Sequence, residues 1–236
     1  MAVRRAVPEV IWARPERTGR GPKPAYTRDD IAAAAVRIAD ARGLDAVSMR
    51  NVAAELGCGT MSLYNYVPRK EDLYELMMDA AGAEHVRWEP SGDWRADLLR
   101  VGHEARALMH RHPWMPRLMS PVYGFSPNAL RYLERCLACL DPLAAPYGTK
   151  LELIAMLNGV VATYVRHELD TAERVRALPW SEDEETAVRG AYLMRQVASG
   201  AYPRMAQAFA EDPGPVDLEA FFERTLERIL DAYVPR

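Results

Sequence analysis

The sequence predicts an all-α protein in two parts: a small N-terminal three-helix unit containing a helix-turn-helix, and a larger C-terminal helical domain. Three observations carry this expectation. From Thr27 onward apolar residues recur at spacings of three and four, the period of an amphipathic helix. No segment alternates apolar and polar residues as a half-buried strand would. Gly43, Gly57, Pro68 and Gly92 punctuate the N-terminal periodic segments where helices would have to stop.

The elements follow in order. Residues 1–25 have no long helical period, carry Pro8, Pro15, Gly19, Gly21, Pro22 and Pro24, and are made basic by Arg14, Arg17, Arg20 and Lys23, which predicts a flexible cationic arm. Such an arm is either a tail without a role or a segment that lies along DNA, as minor-groove arms do. Thr27, with Asp30 three residues on, resembles a capping box with Asp in place of Glu. Ile31, Ala34, Ala35, Ile38 and Ala39 make the inward stripe of a first helix that Gly43 ends. Ser48 caps a second helix, Met49 to Leu56, with Val52, Ala53 and Leu56 facing inward. Gly57 stands where a tight turn needs a left-handed residue. A third short helix is expected from about Thr60 to Val67, and a fourth, after Pro68, from near Arg69 to about Glu84. Three short helices with a glycine turn between the second and third are the sequence form of a helix-turn-helix.

Beyond the linker Glu89-Pro90-Ser91-Gly92, Asp93-Trp94 opens a long helix to about Arg111. Pro113 and Pro116 break the chain, and Ser126-Pro127 starts a helix ending near Leu140, with Pro at the first helical position. Thr149 is expected to cap a long helix through Leu151, Ile154, Leu157, Val160, Val161, Tyr164 and Val165. Helices over 182–200 and around 203–211 follow, and Asp217 starts a last one carrying Leu218, Phe221, Phe222, Leu226, Ile229 and Leu230. The expected domains are therefore the arm, 1–25, the helix-turn-helix domain, 26–85, and the C-terminal domain, 86–236.

Composition narrows the function classes. A hydrophobic share of 49% against 27% charged residues supplies a real globular core. No stretch approaches the roughly 18 uncharged apolar residues that span a bilayer. Pro8, Glu9, Arg14 and Glu16 break any apolar run behind Arg4 and Arg5, so no signal peptide is read and a cytoplasmic location is expected. The three cysteines do not suggest a disulfide framework. Cys136 and Cys139 form a C-x-x-C, the one redox or metal signal, but nothing completes a zinc set and the stretch around them reads as amphipathic helix, so two packed thiols are expected. The net charge of −3 is not that of a strongly basic nucleic-acid binder, yet its distribution is uneven: residues 1–76 hold 12 Lys/Arg and 10 Asp/Glu, the remainder 18 and 23. No Gly-x-Ser-x-Gly, P-loop, dinucleotide-binding glycine turn or His-Glu-x-x-His occurs, so neither catalysis nor a cofactor is expected.

In a helix-turn-helix the second helix of the pair enters the major groove and its N-terminal residues meet base edges. Here that segment is Gly59-Thr60-Met61-Ser62-Leu63-Tyr64-Asn65-Tyr66. Leu63 and Val67, four apart, should face the core, which leaves Thr60, Met61, Ser62, Asn65 and Tyr66 outward. Hydroxyls and an amide can bond base edges or phosphates, and a methionine can touch a thymine methyl. Arg50 and Lys70 flank this face with positive charge suited to phosphate or guanine. The same residues would also suit an ordinary solvated surface.

The residues Gly43-Leu44, Ser48-Met49-Arg50-Asn51-Val52-Ala53, Leu56-Gly57 and Ser62-Leu63-Tyr64-Asn65-Tyr66-Val67, followed by Lys70-Glu71-Asp72-Leu73, closely resemble the DNA-binding domain of the tetracycline-repressor (TetR) family. The resemblance implies base or phosphate contacts from Arg50, Thr60, Met61, Ser62, Tyr64, Asn65, Tyr66 and Lys70. Two departures stand out. Asn65-Tyr66 replace a common aromatic or histidine pair, which changes the bases read. Arg69 stands where a capping Ser or Asn is usual, which should cost on the order of 1 kcal/mol.

Asp93-Trp94-Arg95, His112-Pro113-Trp114, Ser126-Pro127-Asn128-Ala129-Leu130 and Phe221-Phe222-Glu223-Arg224-Thr225-Leu226 resemble, more loosely, the C-terminal ligand-binding and dimerisation domain of tetracycline repressors. The resemblance implies a homodimer through a four-helix bundle, its helices at about 149–170 and 216–233, with small Ala155, Gly159 and Ala162 permitting close approach. It also implies double-stranded operator DNA as partner and an unknown small-molecule effector. Because the fourth helix, about 69–84, follows the reading helix with only Pro68 between, the effector is expected to act by moving that helix. Candidate pocket residues, polar or aromatic groups on otherwise apolar helices, are His103, His110, Trp114, Tyr123, Asn128, Tyr132, Asn158, Tyr164 and His167, with His112 and Trp180 of the same type. His112 falls near a magnesium-binding histidine of tetracycline repressors, but Pro113-Trp114 after it do not fit, so neither metal nor tetracycline is expected. An activator, a regulator without ligand, and an all-α interaction module without DNA binding remain open on these residues.

Overall fold

The computed structural model describes residues 10–14, 26–85, 88–119, 125–211 and 217–233. Among these the regular elements are helical: α1 (Arg28–Arg42), α2 (Met49–Leu56), α3 (Thr60–Leu63), α4 (Lys70–Gly82), α5 (Trp94–Arg111), α6 (Met115–Leu118), α7 (Pro127–Cys139), α8 (Tyr147–Ala177), α9 (Glu182–Ala198), α10 (Pro203–Glu211) and α11 (Leu218–Asp231). None is long and apolar enough to cross a membrane.

The helix starts lie where the capping chemistry puts them. Thr27 accepts from the Asp30 backbone N–H at 3.1 Å while Asp30 Oδ2 accepts from the Thr27 N–H at 2.8 Å, which closes the expected box. Ser48 accepts from Asn51, Asp93 from Arg95 and Ala96, Ser126 from Ala129, and Asp217 from Ala220. Ser181 and Glu184 form a second reciprocal box at α9. Gly43 ends α1 at φ +81° and Gly57 ends α2 at φ +70°, ψ +30°, backbone regions that side chains with a Cβ rarely enter.

Three expectations are corrected. Thr149 does not cap α8. The helix begins at Tyr147, directly after Pro146, whose carbonyl accepts the Lys150 N–H at 3.1 Å; proline lacks the N–H that a helix start leaves unbonded. The inward stripe of α8 is Leu153, Ile154, Leu157, Val161 and Val165, whereas Leu151 is 42% exposed. The arm is not free along its whole length. Ile11–Ala13 form a 3-10 turn with Ile11 fully buried, and Arg28 Nη1 holds the Ile11 and Arg14 carbonyls at 3.0 and 2.9 Å. One apolar side chain with a place in the core outweighs the basic composition around it. The rest of the expected arm, residues 1–9 and 15–25, lies outside the described residues.

By contacts the chain divides into two compact units, residues 1–165 with 229–236, and residues 166–228. In the first unit α4 is the shared element. It packs on α1, α6 and α7, so it links the helix-turn-helix to the helices after it. Leu73, Leu76, Met77 and Ala81 are its buried face. The second unit holds the end of α8, α9, α10 and most of α11. There α9 packs against α10, and Glu185 accepts from Trp180 Nε1 at 2.7 Å and from Arg189.

Candidate functional site

The reading segment is set by the turn before it and the core beneath it. After Gly57, the Cys58 N–H returns to the Ala53 carbonyl at 2.9 Å, closing α2 and aiming the chain into α3. Regular α-helix ends at Leu63, earlier than the expected Val67. Tyr64–Tyr66 continue as tight turns, with Asn65 N–H to the Ser62 carbonyl at 3.2 Å and Tyr66 N–H to the Leu63 carbonyl at 2.9 Å. Pro68 pushes Val67 out of helical geometry, which stops the winding. Leu63 and Val67 are fully buried, as their spacing predicts. Met61 is 77% exposed and Tyr64 43%; Ser62 and Asn65 are exposed, Thr60 and Tyr66 half-buried. Among the described residues no hydrogen bond occupies the side chains of Thr60, Ser62, Tyr64, Asn65 or Tyr66. Arg50 and Lys70 are exposed beside them, with the Lys70 ammonium 5.2 Å from the Tyr74 ring centroid.

The missing cap before α4 is replaced rather than lost. A guanidinium has no acceptor and cannot cap. Asp72 instead accepts from the Arg69 backbone N–H at 3.1 Å and from the guanidinium at 2.5 Å, and the Arg69 side chain is held on the carboxylate. Asp72 is 1% exposed, so this bond pins the start of α4 directly behind the reading segment.

At the other end of α4 a polar junction ties the helix-turn-helix to the helices that follow. Asp40 of α1 accepts from Trp114 Nε1 at 2.7 Å and faces His112 Nδ1 at 2.8 Å; Glu84, just past α4, faces His112 Nε2 at 3.3 Å and accepts from Arg111 at 3.1 Å. Burial pushes the Glu84 carboxyl up, but the bonds from Arg111 and His112 outweigh it and hold it below the usual range. His112 and Trp114 are buried and serve this junction, which removes Trp114 from the expected pocket.

On the opposite side of the same turn lies a cavity of about 630 Å³, walled by Gly82, Ala83 and His85 from the end of α4 and by one face of α7, including Asn128, Tyr132 and Ala138. Of the expected pocket residues, Asn128 and Tyr132 line it. Asn158 of α8 stands behind them and accepts the Tyr132 hydroxyl at 2.6 Å. Asn128 bonds Asp79 of α4 through its backbone N–H at 2.7 Å and its amide at 2.8 Å, locking α7 onto α4. The remaining candidates are not brought here. His110 and His167 are exposed, His103 is half-buried on α5, and Tyr164 on α8 lies 5.8 Å under the Arg106 guanidinium. Trp180 is 53% exposed. Tyr123 lies outside the described residues. His85 is the one histidine that sequence reading did not single out. It falls just beyond α4, off any apolar stripe, and only the fold makes it a wall. Cys136 and Cys139 are fully buried as packed thiols, pushed up by burial to about 12 and about 11, so neither is a reactive thiolate.

Two family models match the chain: "Bacterial regulatory proteins, tetR family" over residues 31–77 and "Tetracyclin repressor-like, C-terminal domain" over residues 88–232. The chain belongs to the TetR family of bacterial transcriptional regulators. It is 39% identical over 227 residues to the HTH-type transcriptional repressor DrrR1 of Streptomyces coeruleorubidus, covering 94% of this chain and 83% of that one. It is 35% identical over 219 residues to an HTH-type transcriptional regulator of Saccharopolyspora erythraea, covering 92% and 88%. Among solved structures it is similar to ActR of Streptomyces coelicolor in complex with actinorhodin, with a TM-score of 0.72 and 25% identity over 88% of this chain and 96% of that one.

Proposed function

We propose that this regulator is a repressor that binds a palindromic operator as a dimer and releases it when a small molecule occupies the α4–α7 cavity. The observation that carries the DNA-binding half is the reading segment itself. Two buried anchors, Leu63 and Val67, leave a row of unoccupied hydroxyl, amide and thioether groups outward between two exposed cations, Arg50 and Lys70. Repression is supported by the name of the relative DrrR1, and effector control by the actinorhodin complex of ActR. Dimerisation is supported by an exposed face of α8 on which Leu151, Ala155, Met156 and Gly159 follow one another, apolar or small at helical spacing. A two-fold dimer would place two reading segments one DNA turn, about 34–36 Å, apart.

The cavity and the junction share one turn of chain. Gly82, Ala83 and His85 face the cavity while Glu84 holds Arg111 and His112, and His112 holds α1 through Asp40. An occupant that moves this turn therefore moves the reading head. A mobility shift with the promoter beside the protein's own gene tests the reading. The full chain should retard that fragment, and the shift should weaken steeply between low and moderate salt as counterions are released. A shift absent at both salts would overturn it.

A further inference from the structure

The chain enters the reading segment from α2 and leaves it into α4, and α1 packs on both of these helices. Residues that precede the body of α1 touch all three. Tyr26 donates its hydroxyl to the Leu56 carbonyl at 2.8 Å. Leu56 is the last residue of α2, where a helix leaves its carbonyls without helical partners, and the turn at Gly57 follows directly. Thr27 caps α1. Arg28, the first residue of α1, turns its Nη1 back onto the carbonyls of Ile11 and Arg14 and so fastens the 3-10 turn to the start of the helix. In that turn Ile11 is fully buried, and half-buried Trp12 donates its indole N–H to the carboxylate of Glu75 on α4.

Glu75 depends on that donor. It stands three residues after Asp72, and both are buried, so two carboxylates share one face of α4. Arg69 satisfies Asp72. Trp12 is the one side chain among the described residues that bonds Glu75. Burial and the neighbouring Asp72 push the Glu75 carboxyl above its usual range, and the bond from Trp12 and the charge of Arg69 oppose this. A buried carboxylate without a donor is costly, so the 3-10 turn and the first two turns of α4 hold each other in place. The three donors, Trp12, Tyr26 and Arg28, all precede residue 31, where the match to the family's DNA-binding domain begins, so these contacts are not part of what that match describes.

We propose that Ile11–Trp12 and Tyr26–Arg28 together form a clasp that fixes how the reading segment is presented to operator DNA, with Trp12 and Tyr26 as positioning residues. This rests on the reading of Thr60–Tyr66 as the DNA face. Tyr26 sets the end of α2, and hence the entry to the segment. Trp12 sets the start of α4, and hence its exit. Arg28 joins the two, so neither shifts alone. Neither Trp12 nor Tyr26 has to touch DNA for this. Hydrogen bonds to base edges are directional and fail when the segment is displaced, whereas attraction to phosphates is sequence-independent and survives. The clasp therefore contributes to operator preference rather than to general affinity for DNA.

The test uses the full chain and two duplexes at one salt concentration: the promoter fragment beside the protein's own gene, and a duplex of the same length and base composition in scrambled order. Trp12→Phe keeps a ring and removes the N–H; Tyr26→Phe removes only the hydroxyl. Each should weaken the promoter complex about three- to tenfold, the scale of one hydrogen bond, and leave the scrambled duplex unchanged. Ile11→Asp, which expels the turn, should lose at least as much, while Val10→Ala, at the exposed residue beside it, should lose nothing. Adding Glu75→Leu to Trp12→Phe removes the carboxylate left unpaired and should restore part of the loss. Promoter binding of wild-type strength in either Trp12→Phe or Tyr26→Phe would overturn the inference. So would equal losses on both duplexes, which report a smaller folded fraction and not a displaced segment. Failure of the underlying reading looks different: the unaltered chain would then show no preference for the promoter fragment over the scrambled duplex.

Discussion

Leu63 and Val67 spend the inner side of the reading segment on the core, so only one face remains for DNA, and Tyr64 stands on it at 43% exposed with an unoccupied hydroxyl. If the proposed reading face is right, Tyr64→Ala should weaken the operator by about 10–100-fold, on a scale of roughly 1–3 kcal/mol for a good base contact. Lys70→Ala should weaken all sequences alike and lower the salt slope by about one. Both are read by mobility shift, and normal shifts from both would mean the face is wrongly placed. His85 makes a second residue-scale prediction. Its folded pKa, about 4, lies below the ordinary 6.5, so between these values the unfolded chain binds more protons and stability rises with pH. Acidification through that window should remove up to about 3 kcal/mol, the linkage equivalent of the shift. Urea midpoints measured across it should fall toward acid in the wild type and fall less in His85→Leu. Equal slopes would count against a neutral buried imidazole.

Elements inherit their positions from such residues. The third helix is only Thr60–Leu63 because Pro68 restricts Val67, and α4 starts firmly although Arg69 cannot cap it, because Asp72 takes over both the backbone N–H and the guanidinium. Asp72→Ala should therefore loosen the start of α4, cost about 1–3 kcal/mol for the partners left unpaired, and lower operator affinity through a displaced reading segment. Thermal melting together with the mobility shift checks this; an unchanged melting temperature would show that the bond contributes nothing. The element order was legible from sequence because capping residues and the three-and-four period are local signals, as at Thr27, Ser48, Asp93 and Ser126. Thr149 misled because a capping residue type inside a first turn looks the same as one before it, and the preceding Pro146 decided the start instead.

At the scale of the whole molecule, α8 joins the two units in sequence and presents the face proposed for dimerisation. Gly159 is exposed, and a Cβ added there would meet nothing within 4 Å, so a side chain at this position leaves the protomer undisturbed. Gly159→Arg should then yield a folded monomer by sedimentation that no longer retards the operator, since one half-site supplies only part of the phosphate and base contacts. A dimer of wild-type strength would remove α8 from the interface. Of the candidate sites, the exposure pattern of the reading segment was legible because Thr60 to Val67 are contiguous in sequence and the spacing of Leu63 and Val67 fixes which side is buried. The pocket was not: only Asn128 and Tyr132, and Asn158 behind them, met at the cavity, while Trp114 went to a junction with Asp40, seventy-four residues away in sequence.

The sequence by itself determined the helices, their caps, the turn at Gly57 and the outward set of the reading segment, because each depends on residues within a few positions of one another. Only the tertiary structure decided that Ile11 docks, that Asp40, Glu84, His112 and Trp114 form one junction, and that His85 closes a cavity with both nitrogens unpartnered. Those outcomes rest on contacts between distant segments, and a histidine's role is fixed by what burial brings to its ring rather than by its neighbours in the chain.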